Sequence, residues 1–169
     1  PYNRGKLTVR GMCMNNGELA GKVHSAVYHQ CRSRGFAAPV DVLMDVGYLS
    51  RQDYENWRYG RVDYLERVCK ANLSKLSLVM REMRSYAAKA GLKPSFCYYK
   101  RWGTQKKNGQ GRKPVIPLRF SKSGNPEIER RYATHFVDLK RTSQLKEDRA
   151  AKQTGQSEAS PDGGGASNS

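Results

Sequence analysis

Leu19, Val23, Val27 and Cys31 recur every four residues, with Ala20 and Ala26 beside them and polar residues between. That spacing lays one apolar stripe along an α-helix. The helix is predicted to follow a turn at Asn15-Asn16-Gly17 and to end near Arg34-Gly35, where cations meet the negative end of its dipole. Ahead of it, residues 6–10 (KLTVR) alternate as a short strand does. Pro39 opens a second, short helix through Val46, with Gly47 past its end. Ser50 followed by Asp53 has the form of a capping box and starts a third helix, which Gly60 stops.

The sharpest pattern is Leu73, Leu76, Met80, Met83, Ala87 and Ala90, with gaps of 3, 4, 3, 4 and 3 residues. Such a seam faces a partner surface. Leu65 and Cys69 extend it backwards. It therefore belongs to one helix over about residues 63–90, capped by Asp63, or to two joined near Asn72. Gly91 ends it, and Pro94 bars resumption until after itself. Burial against the same chain is the commoner fate of a stretch this short. A homodimer through Leu73, Leu76, Met80 and Met83 is the alternative.

Ser95 can cap a short helix over residues 96–102, closed by Gly103. Residues 104–113 (TQKKNGQGRK) form a loop. Val115, Ile116, Leu118 and Phe120 suggest a strand that Pro114 and Pro117 confine to an edge. Pro126 starts another helix, with Glu127 and Glu129 in its first turn and Ile128 and Tyr132 on its inner face. Residues 134–137 read as a last strand. Residues 153–169 hold no aromatic and no large aliphatic side chain, too little apolar surface to offset the entropy of ordering. The predicted class is mostly α, of α+β type: a compact helical domain with two or three short strands and a disordered C-terminal tail. The domain covers residues 1–140, a charged transition 141–152 and the tail 153–169.

Charge changes this picture. The net charge is +16, and residues 83–126 carry eleven Lys or Arg and no Asp or Glu. Residues 36–82 and 127–169 each balance to zero. A cationic block this clean repels itself unless a polyanion neutralises it, and nucleic acid is the commonest polyanion. Tyr98, Tyr99, Lys100, Arg101 and Trp102 interleave aromatics with cations. Lys106, Lys107, Arg112 and Lys113 follow on the loop, then Arg119 and Lys122. Arg84, Lys89 and Lys93 lead into the block. Cations pair with phosphates and aromatics stack on unpaired bases. The alternative for Trp102 is a place in the core.

Other motifs carry less. Residues 40–58 can form a helix-turn-helix, but Asp53 and Glu55 on its second helix would face the DNA backbone, so a packed hairpin is preferred. Gly17 and Gly21 are one residue too close for a phosphate-binding loop, and Val23 stands where it needs Ser or Thr. His24 and His29 are five apart and share a helical face poorly. Asp41 and Asp45, one turn apart, could hold Mg²⁺ for a nuclease, but they lack a further carboxylate or Lys at a recognisable spacing. The cysteines at 13, 31, 69 and 97 lack the close spacing of a zinc site and read as free thiols in a reducing compartment. No cofactor is expected. No apolar run is long enough to span a membrane, and the amino terminus lacks a secretory core.

The segments DYENWRYGRVDYLERVC, NLSKLS, GLKPSFCYYKRWG and YATHFV resemble a family of short bacterial proteins, over about residues 36–137. The resemblance implies a single compact unit in the bacterial cytosol. It transfers no activity and no functional residue. The expected function is therefore non-enzymatic nucleic-acid binding, in the cytoplasm with the nucleoid or RNA. A small metal-dependent nuclease and a module that docks an acidic protein or dimerises through its seam are the alternatives.

Overall fold

The computed structural model describes residues 14–156. The strand expected at residues 6–10, Cys13 and the tail from residue 157 onward lie outside the described residues. The chain runs α1 (Asn16–Arg34), β1 (Phe36–Ala37), α2 (Pro39–Asp45), α3 (Arg51–Arg58), α4 (Leu73–Ala90), β2 (Lys93–Phe96), α5 (Pro126–Ala133), β3 (Thr134–Val137) and α6 (Leu139–Gln156). Short 3-10 turns lie at Leu65–Val68 and Lys107–Gly109. The mainly helical α+β class is as expected. None of the described helices is long and apolar enough to cross a membrane.

Local signals explain most boundaries. The Asn15 side chain accepts from the Glu18 N–H at 2.9 Å, and the Glu18 carboxylate accepts from the Asn15 N–H at 3.3 Å. This capping box starts α1 within the segment expected to be a turn. Ser50 caps α3 by accepting from the Asp53 N–H at 3.0 Å. Asn72 caps α4, so the long seam is broken there, and its first part is only the 3-10 turn. Asp63 caps nothing; it pairs with Arg67 at 3.0 Å.

Gly35 ends α1 with φ of 87°. A Cβ there would lie 2.6 Å from Thr142 Oγ1, so glycine both reverses the chain and admits α6. Arg141 of α6 donates from Nε to the Arg32 carbonyl at 2.8 Å. The charged transition expected at residues 141–152 is thus the body of a docked helix, and Gln153–Gln156 continue it.

The core joins α1 to α4. Leu19, Val23 and Val27 meet the buried face of α4, namely Leu76, Met80, Met83 and Ala87. Of the four residues named for a homodimer, only Leu73 remains exposed. A second part of the core is aromatic. Trp57, fully buried, lies 5.1 Å from Phe120, which stacks on Tyr132 at 5.5 Å.

The sheet has the order β1-β3-β2, with β3 antiparallel to both neighbours. Ser95 stands opposite His135, and Phe36 opposite Val137. The short helix expected at residues 96–102 is absent. Phe96, Cys97, Tyr98 and Tyr99 favour extended backbone, and β3 offers a partner, whereas a seven-residue helix has little stability of its own. The Cys97 N–H extends the pairing to the Ala133 carbonyl at 2.9 Å.

Candidate nucleic-acid interface

Beyond Cys97 the chain forms an arm. The Arg101 N–H donates to the Ile116 carbonyl at 2.8 Å, and the Leu118 N–H to the Tyr99 carbonyl at 2.9 Å. Pro114 and Pro117 deny the ladder further donors, so the expected strand is reduced to this pairing, with a bridge between Lys100 and Pro117. The arm is rooted on α3. The Trp102 N–H donates to the Arg58 carbonyl at 2.7 Å, and Arg101 Nε to the Tyr59 carbonyl at 2.9 Å. Gly60, at φ of 71°, leaves room for Arg101, whose Nε would lie 2.6 Å from a Cβ there.

All eleven cations of residues 83–126 are exposed. The ion pairs among the described residues are His24–Glu82, Arg34–Asp41, Arg51–Glu55 and Arg67–Asp63. None involves the block. Of the carboxylates near its end, Glu127 lines a cleft with Arg84, whereas Glu129 and Glu66 are taken up by other donors. Glu129 accepts from the Phe120 and Ser121 N–H groups at 2.8 and 2.7 Å and from Ser121 Oγ at 2.5 Å. Glu66 accepts from the Lys122 N–H and from the Tyr132 hydroxyl, each at 3.0 Å. Backbone and hydroxyl donors therefore occupy Glu129 and Glu66, and neither carboxylate pairs with a cation of the block.

The fold gathers some predicted residues and separates others. Lys100, Arg101, Trp102 and Lys113 line one pocket of about 300 Å³ at the root of the arm. Lys106, Lys107 and Arg112 stand on the exposed tip. Lys89 and Lys93 flank the turn between α4 and β2. Arg119, though exposed, is folded back on its own chain: its guanidinium donates to the Ser121 and Lys122 carbonyls and lies 5.3 Å from the Tyr64 ring. Lys122 remains exposed beside it.

The aromatics divide likewise. Tyr99 is largely buried against Trp57 and Phe120. Trp102 is half-buried, edge-on to Tyr54 and Tyr59 and under the Arg58 guanidinium at 4.4 Å. Within the block the free aromatic surfaces are Tyr98, 74% exposed, and Phe96, 54% exposed, in edge contact at 5.7 Å. They border an apolar groove of about 550 Å³ with Pro117, Leu118 and Arg130.

Sequence reasoning missed Arg130 and Arg131. With Arg84 they line a cleft of about 530 Å³ floored by Met80, Met83, Pro94 and Phe136. They were hidden because Glu127 and Glu129 make their segment neutral in sum, although Glu129 faces the interior. Their adjacency on a short helix was the available signal.

Asp41 and Asp45 are both engaged by α1. Arg34 Nη2 donates to Asp41 at 2.6 Å, and Gln30 Nε2 to Asp45 at 2.7 Å. The described residues contain no group of three or more His, Cys, Asp or Glu placed to hold a metal ion. His24 pairs with Glu82 at 3.0 Å. Burial pushes the Cys31 thiol up to about 11 and the Cys69 thiol up to about 12, with Asp138 and Glu66 adding to the respective shifts.

Comparison with protein-family models, with curated proteins and with solved structures found no match to this chain. The functional reading accordingly rests on the residues themselves.

Proposed function

We propose that the chain is a non-enzymatic nucleic-acid-binding protein, with residues 83–126 as its phosphate-contacting surface. One observation carries the reading: eleven exposed cations stand in one segment, and no carboxylate among the described residues pairs with any of them. A solvated face of mixed charge would hold both signs. Binding here is driven by counterion release, with little base readout from the exposed tip. Phe96 and Tyr98, exposed at the edge of the sheet, are suited to stacking on unpaired bases.

The test is fluorescence anisotropy with length-matched duplex DNA, single-stranded DNA and RNA over a salt series. Affinity that falls steeply with salt supports the reading, and the preferred substrate names its class. Absence of binding to all three at low salt refutes it.

A further inference from the structure

A second cleft lies on the other side of the arm's root, among residues that mostly fall outside the basic block. It measures about 260 Å³ and lies between the end of α1, strand β1, helices α2 and α3, residues 97–99 beyond β2, and strand β3. Its walls form one continuous stack. The Arg34 guanidinium lies 4.2 Å from the Phe36 ring, which stacks on His135 at 5.5 Å. His135 meets Tyr99 edge-on at 5.7 Å, and Tyr99 lies 5.2 Å from the Arg58 guanidinium. Trp102 closes the stack beyond Arg58. Both arginines are thus held in position before any ligand arrives.

The two arginines differ. Arg34 is matched: Asp41 and Gln30 accept from its Nη2 at 2.6 and 2.8 Å, and the Phe36 carbonyl accepts from its Nε at 3.1 Å. Arg58 has no carboxylate partner among the described residues. Its buried Nε has no hydrogen-bond partner, although the Tyr54 hydroxyl interacts with the side chain. A buried donor on a charged guanidinium calls for an acceptor. Asp41 is paired with Arg34, and burial disfavours charge on the His135 ring, so Arg58 is the cation at the cleft without a carboxylate partner among the described residues. One His135 nitrogen shares a hydrogen bond with the Tyr99 hydroxyl at 2.8 Å.

We propose that this cleft is an anion site that seats one phosphoryl group, with Arg58 as the principal ligand and the His135–Tyr99 pair beside it. The planar guanidinium fork matches phosphate oxygens. The volume admits a phosphoryl group and part of a sugar. The choice of phosphate over another oxyanion rests on the nucleic-acid reading. The group is either the terminal phosphate of a nucleic acid or a free phosphate.

The experiment is NMR on the full chain, following the Arg58 Nε–H and the His135 ring during titration with inorganic phosphate, against sodium chloride at equal ionic strength. Saturable shifts of both with phosphate alone are expected. No shift of either, or equal shifts with chloride, overturns the site. Arg58→Lys keeps the charge and loses the fork, so phosphate affinity should fall about tenfold or more. Should that variant fail to fold, the wild-type titration still decides. Oligonucleotides with and without a terminal phosphate then separate the sources. Tighter binding of the phosphorylated form assigns the site to nucleic-acid ends. Phosphate shifts without that preference keep the phosphoryl site and assign it to free phosphate. Phosphate shifts without any oligonucleotide binding keep the site and remove the nucleic-acid reading.

Discussion

The indole Nε1 of Trp57 donates to the backbone carbonyl of Arg119 at 2.8 Å, tying the neutral helix α3 to the returning limb of the basic arm. The same carbonyl accepts from the Leu65 N–H at 3.2 Å. Trp57→Phe keeps most of the packing and loses the indole donor. It should destabilise the fold by about 1–2 kcal/mol. Trp57→Ala also opens a cavity in a fully buried site and should cost about 3–5 kcal/mol. Urea unfolding followed by far-UV circular dichroism checks both. Near-equal midpoints for wild type and Trp57→Phe would show that the hydrogen bond adds nothing.

Glu129 is the second anchor of that limb. Its carboxylate accepts from three donors at Phe120 and Ser121, and Ser121 is fully buried. Glu129→Ala leaves those donors unmet and should cost about 2–3 kcal/mol. Glu127→Ala, on the exposed first turn of the same helix, should cost about 1 kcal/mol or less. Equal losses for the two would contradict an inward role for Glu129. The measurement is again the urea midpoint.

These anchors show what could be read along the chain and what could not. Helices α1, α4 and α5 were legible from their apolar stripes, with Pro126 marking the start of the last; the caps Asn15 and Asn72 were not, because each sits in a segment that also reads as a turn or a joint. The arm was not. Ser95 offers a helix cap locally, but the segment after it pairs instead with β3, almost forty residues further on. Helix α6 has little apolar stripe; Leu139 is exposed, and the helix docks through Thr142 and Arg141. The basic block was legible because charge sums along the sequence. The cleft of Arg34, Arg58 and His135 was not, because separate segments must meet before two arginines become unlike.

His135 supplies a pH dependence. Burial, then the Arg34 charge, lowers its pKa below the usual value, while Asp41 opposes the shift. The Tyr99 hydroxyl is its hydrogen-bond partner. Well above about 6.5 the ring is neutral in both folded and unfolded chains and contributes no slope. As pH falls below that value, the unfolded chain takes the proton first, so stability is lost with falling pH. His135→Asn should therefore flatten the decline in urea midpoint between about pH 6.5 and 5. A slope unchanged by the substitution would place the acid sensitivity in other groups.

The thiols provide a chemical probe of the core. Cys31 and Cys69 have pKa values pushed up to about 11 and about 12, so almost no thiolate exists at pH 8 in the native state. Peptide-resolved iodoacetamide labelling should modify both slowly in native buffer and rapidly in urea. Fast native labelling of Cys69 would mean that the segment around Leu65–Val68 opens readily.

The loop of the arm gives the sharpest test of the charge argument, since Lys106, Lys107 and Arg112 at its tip and Lys113 near its root can be removed without touching the core. All four are exposed and none is paired with a carboxylate. Changing them together to Ala should leave the urea midpoint nearly unchanged. If they contact duplex phosphates, the slope of log affinity against log salt should flatten by up to about 3.6, about 0.9 for each contact. Weakening should be uniform across sequences, because phosphate contacts carry no base information. Net charge alone would also weaken binding, so the control is Lys140, Lys146, Arg149 and Lys152 to Ala on the exposed surface of α6. Both variants lose four positive charges. A long-range field predicts similar losses for the two, whereas direct contact at the tip predicts a change of slope in the first alone.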